Sequence, residues 1–108
     1  MTDAVKISGD RYFKWPNLDN ADTVESHEWA GGEGFIEVNG TPDGATVQGQ
    51  FSIDDGATFY DLSTDEAPNG AKFTDAVGLV AFNLPKGHLK FTLEDGEASQ
   101  DLTITVRA

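Results

Sequence analysis

The sequence predicts an all-β protein, an antiparallel β-sandwich of about eight short strands, Ig-like or jelly-roll-like in its layering. Three observations lead there. Apolar residues recur with period two over most of the 108 residues, the spacing of a strand that buries one face. Clusters of Gly, Pro, Asn and Asp break that alternation roughly every eight to twelve positions, the rhythm of sandwiches and barrels. No segment carries the three-and-four spacing of an amphipathic helix.

The elements follow in order. Val5 and Ile7 alternate before Gly9 and Asp10, and Tyr12-Phe13-Lys14-Trp15 forms a second short run. Pro16 is expected to end it, because proline cannot donate to a ladder. Residues 1–15 therefore read as an N-terminal strand or arm, and residues 16–108 as a single sandwich domain. The stretch NLDNADTVESHEWAGGEG is polar and glycine-rich, a long loop or irregular edge strand. From Phe35-Ile36-Glu37-Val38 the signal sharpens. The cluster Gly40-Thr41-Pro42-Asp43-Gly44 turns the chain into a strand over residues 46–53, with Val47, Phe51 and Ile53 on one face and Gly49 among them. Phe59-Tyr60-Asp61-Leu62 follows closely enough to pair with it as a hairpin, and Glu66-Ala67-Pro68-Asn69-Gly70 is a further turn. Lys72-Phe73-Thr74 is a short strand. Val80, Phe82 and Leu84 alternate in the next, then Leu89, Phe91 and Leu93, then Leu102, Ile104 and Val106. Connections are expected to be mainly hairpins, with the last two strands at the centre of the core.

Composition narrows the function classes. Nineteen acids against seven bases give a net charge of −12, a field that repels phosphate backbones and speaks against nucleic-acid binding. There are no cysteines, so neither disulfides nor thiolate metal sites support the fold. No run of about 18 apolar residues predicts a membrane span, and the N-terminal stretch lacks the apolar core of a signal peptide. The expectation is a soluble protein with no membrane partner and no cofactor.

Residues 51–59, FSIDDGATF, fit the Ser-x-Asp-x-Gly-x-Thr-aromatic pattern of an Asp-box turn through Ser52, Asp54, Gly56, Thr58 and Phe59. Each residue type serves the backbone: a carboxylate to accept N–H groups, a glycine for positive φ, hydroxyls for local bonds and a ring to cover the turn. The expected role is a structural staple. Asp54, Asp55, Asp61, Asp65 and Glu66 form the densest acidic stretch, which raises calcium as an alternative, but no EF-hand loop is present and no metal site is assigned. His27 and His88 lack partners at metal-ligand spacing and read as surface or edge residues. No nucleophile, base and cleft can be named together, so no catalytic residue is assigned. Tyr12, Phe13, Trp15 and Trp29 are the candidate interface residues, since aromatics anchor interfaces and sugar platforms, but packing in the sandwich core is the favoured reading of the same rings.

GATVQGQFSIDDGATFYDLS followed by FTDAVGLVAFNLPKGHLKFTLEDGEASQDLTITVRA resembles small structural proteins of tailed bacteriophages, in which an Asp-box hairpin precedes an LPxG turn and a terminal LxVxV strand. The resemblance covers residues 44–108. Phe59 replaces the usual tryptophan, and His88-Leu89-Lys90 stands where an aromatic and an arginine often lie. It implies a non-enzymatic virion component, a head decoration or cement protein made in the host cytoplasm and bound to the capsid surface. The implied partner is the major capsid protein, with association between copies on the shell left open. A tail, neck or fibre component and a carbohydrate-binding module are the alternatives.

Overall fold

The computed structural model describes residues 5–6, 11–62 and 72–108. The turn expected at Glu66–Gly70 and the acids Asp65 and Glu66 lie outside them. Among the described residues ten strands form: β1 (Val5–Lys6), β2 (Tyr12–Leu18), β3 (His27–Trp29), β4 (Gly32–Thr41), β5 (Thr46–Ser52), β6 (Tyr60–Asp61), β7 (Lys72–Thr74), β8 (Gly78–Leu84), β9 (Gly87–Glu94) and β10 (Asp101–Arg107). All pairings are antiparallel. Sheet one has the order β1-β2-β10-β4-β8, and sheet two the order β3-β9-β5-β6, with β7 also on β5. The fold is the predicted all-β sandwich.

Its connections differ from the expected hairpins. Among the described residues, only β1–β2 and β5–β6 pair as consecutive strands; from β2 to β5 and again from β7 to β10, each connection passes from one sheet to the other. The reason is physical: period-two alternation reports which face of a strand is buried, but not which strand lies beside it. Thus β9 and β10 contribute the expected core residues, with Leu89, Phe91, Leu102, Ile104 and Val106 buried and Leu93 packed against them. They do so from opposite sheets.

A second correction concerns the boundary after residue 15. β2 runs through it to Leu18 and pairs with β10 along its length. The register shifts between Leu102↔Leu18 and Ile104↔Trp15, and Asn17 adopts φ 55°. The extra residue forms a β-bulge, which is where a strand tolerates proline. Pro16 therefore bends the strand without ending it, and residues 12–15 belong to the sandwich.

Three ring pairs connect the two sheets across the core. Phe13 of β2 stacks on His27 of β3 at 4.0 Å, Trp15 of β2 meets Phe91 of β9 edge-on at 5.4 Å, and Trp29 of β3 meets Phe82 of β8 at 4.9 Å. Such geometries satisfy the ring quadrupoles and add to the burial of large apolar area. Gly34 makes the last pair possible. A Cβ there would stand 2.7 Å from the Trp29 ring and 2.8 Å from the Phe82 ring, so the absent side chain lets both rings lie against β4.

Candidate interaction surfaces

The Asp-box hairpin is built as its residue types dictate. Ser52 is oriented toward the outer side of sheet two, yet the turn closes over it and buries it. Its Oγ donates to Asp54 Oδ1 at 2.6 Å and accepts the N–H groups of Gly56 at 3.0 Å and Asp54 at 3.3 Å. Asp54 Oδ1 also accepts the Thr58 N–H at 2.9 Å. These bonds, that from the Ser52 hydroxyl first and that from the Thr58 N–H second, hold the Asp54 carboxyl below its ordinary value of 3.8. Asp55 (φ 58°) and Gly56 (φ 85°) take the left-handed turn. Phe59 lies beneath the Lys90 ammonium, 4.4 Å from ring centroid to Nζ, a cation–π contact with sheet two's outer side. The polar groups of the motif are thus turned inward on the hairpin itself. Among the described residues, no group of three or more His, Cys, Asp or Glu is arranged to hold a metal ion.

The four aromatics expected at an interface separate sharply. Phe13, Trp15 and Trp29 are fully buried, so they cannot meet a partner or stack on a sugar; their place is the core, Phe13 and Trp15 because β2 continues through the bulge and Trp29 because it packs on Phe82 from β3. Trp15 Nε1 donates to the Glu25 carbonyl at 3.1 Å, tying the loop before β3 to β2. Tyr12 alone reaches the surface, on the outer side of β2, with the Arg107 guanidinium 4.2 Å from its ring centroid. His27, expected at a surface or edge, is on the edge strand β3, but its ring turns inward onto Phe13; Nδ1 donates to the Glu28 carbonyl at 2.7 Å.

Register shows what the sequence did not. On the outer face of sheet one, Tyr12, Arg107, Phe35 and Ala81 form one cross-strand row, and Lys14, Thr105, Glu37 and Leu79 the next. Phe35 is 47% exposed and Leu79 59%. The two rows, apart from Ala81 and with Thr103 added, floor a broad shallow depression. Within them two cations stand against one carboxylate, in a chain of charge −12. The outer face of sheet two has rows of a different kind: Glu94-Thr46-Thr74, Thr92-Gln48-Lys72 and Lys90-Gln50-Asp61. All nine side chains are polar. Gln50 Nε2 donates to Asp61 Oδ1 at 2.8 Å and Gln48 Nε2 to the Gly49 carbonyl at 2.8 Å, so this face satisfies part of its own hydrogen bonding.

A second apolar groove lies at the end of sheet two, lined by Phe51, Ile53, Tyr60, Leu62, Leu84 and Pro85 with Asp61. Ile53 (75% exposed) and Tyr60 (70%) rim it. Ile53 was expected on the buried face with Val47 and Phe51, but the strand ends at Ser52 and the Asp-box turn carries it outward. Asp54, Asp55 and Asp61 surround this groove in sequence, and no lysine or arginine lines it. No protein family, curated protein or solved structure matches the chain.

Proposed function

We propose that the chain is a structural component of a tailed-bacteriophage virion, a decoration or cement protein that binds the major capsid protein on the outside of the head shell. The observation that carries the reading is the outer face of sheet one, where exposed Phe35 and Leu79 coincide with Arg107 and Lys14 on an otherwise acidic molecule. Exposed aromatics and arginine are the residue types that concentrate binding energy at interfaces. The polar, self-bonded face of sheet two then looks to solvent, and the net charge of the whole chain, −12, keeps loaded shells dispersed. A cysteine-free sandwich suits assembly in a reducing host cytoplasm, and the resemblance of residues 44–108 to phage structural proteins supplies the class of partner.

Docking in this way requires little rearrangement, because both rows sit on regular strands whose opposite sides are locked in the core. Shells assembled from the major capsid protein of the same phage should bind it to a fixed stoichiometry in co-sedimentation. Loaded shells should rupture at a higher temperature than bare ones. Protein that stays in the supernatant at saturating concentration would refute the reading.

A further inference from the structure

The margins of the two sheets are not protected alike. Among the described residues, β1 lies at one side of sheet one and β3, β6 and β7 at the margins of sheet two, and each extends over only two or three of them. Edges this short give another chain little to template on. The remaining margin is β8, seven residues paired in unbroken register with β4 from Val38↔Gly78 to Gly32↔Leu84. Among the described residues, nothing pairs with its far side. An edge of that length presents alternating N–H and C=O groups, which proteins usually blunt with lysine, proline or a bulge. β8 reads GLVAFNL, with no charge, no proline and no register shift.

We propose that β8 is a self-association edge, at which two copies of this chain pair antiparallel about a twofold axis through Ala81. The inference goes beyond the decoration reading and needs no capsid. An antiparallel edge is its own complement under a twofold, and the strand's middle residue, Ala81, sets the register. Val80 then faces Phe82 of the second copy on the core side, so the two buried layers become continuous. On the outer side Leu79 faces Asn83, and Ala81 faces itself. Every pair is uncharged. The nearest acids on that outer face, Glu37 opposite Leu79 and Glu33 opposite Asn83, lie one strand back on β4. Across the seam they are three strand spacings apart, roughly 14 Å at about 4.8 Å each, beyond the Debye length of about 8–10 Å at moderate salt. The net charge that keeps copies apart elsewhere therefore does not oppose pairing here.

The cysteine-free sequence permits a direct test with the full chain. Directly opposed residues of an antiparallel pair have Cα atoms about 4.5–5.5 Å apart, within reach of a disulfide. Under mild oxidation, Ala81→Cys should migrate almost wholly as a covalent dimer. Thr103→Cys, on the same outer face but two strands away on β10, should stay monomeric. Sedimentation equilibrium of the unmodified chain should show a monomer–dimer transition, and Ala81→Lys should move its midpoint at least ten-fold higher while leaving the circular dichroism spectrum unchanged. A chain that sediments as monomer at all concentrations, or Thr103→Cys crosslinking as readily as Ala81→Cys, would overturn the proposal.

Discussion

The outer faces of the two sheets share a scaffold and differ in what they do with their side chains. Both alternate strictly with the core, and both are assembled from cross-strand rows on β-strands. On sheet two the rows are polar, and glutamines there bond to neighbouring groups of the same sheet. On sheet one the rows bring Phe35 and Leu79 beside Arg107 and Lys14, so that exposed apolar area and positive charge share one surface. The difference teaches that the character of each exposed face is set by register rather than by composition, since each strand alone looks like any other half-buried strand.

The comparison can be broken most forcefully from inside. Trp15→Ala removes a fully buried ring that bridges the sheets and should cost about 3–5 kcal/mol in denaturant unfolding. Where the variant remains folded, its shell binding should be unchanged. A loss of binding with no loss of stability would mean that Trp15 belongs to the contact surface after all.

Adding two glutamates to each face sharpens the contrast at the next level. Phe35→Glu combined with Arg107→Glu should weaken shell co-sedimentation at least ten-fold, about 1.4 kcal/mol. Gln48→Glu combined with Thr92→Glu on sheet two should change it less than about two-fold, as befits a solvent-facing surface outside the contact. Equal effects from the two pairs would dissolve the distinction between the faces.

The smallest expected effect is at the Asp-box hairpin, which belongs to sheet two and serves its own turn. Asp54→Asn removes the charged acceptor shared by Ser52 and Thr58, and should lower the thermal midpoint slightly at neutral pH without altering shell binding. Because the folded-state value of Asp54 lies below 3.8, its stabilisation is present above that pH and is lost as pH falls through the folded value. The midpoints of Asp54→Asn and the unmodified chain should therefore converge on acidification below about pH 3.8. A gap that persists there would assign the difference to something other than the carboxylate.

Much of the fold was legible because alternation is a direct record of burial. Val80, Phe82, Leu89, Phe91, Ile104 and Val106 all face inward as their spacing predicts. The Asp-box roles were legible too, since Ser52, Asp54 and Gly56 act on backbone within a few residues. Phe13 and Trp15 stood among the interface candidates, with the core as the favoured alternative, because Pro16 masks the continuation of β2, and a bulge leaves no simple mark in the one-letter string. Their own alternation with Tyr12 and Lys14 was the available signal. Tyr12, Arg107, Phe35 and Ala81 are far apart in sequence, and only strand order sets them in one row. Gln100, whose buried side chain donates to the Leu18 and Asp19 carbonyls at 3.2 and 3.0 Å, was hidden for the same reason.

Side-chain footprinting by hydroxyl radicals, comparing free protein with protein on shells, tests the central claim most directly, because each sheet carries large exposed apolar side chains. The account predicts that Phe35 and Leu79 of sheet one lose labelling on the shell while Ile53 and Tyr60, beside the hairpin of sheet two, keep theirs. Protection of Ile53 and Tyr60 with Phe35 and Leu79 still labelled would contradict it.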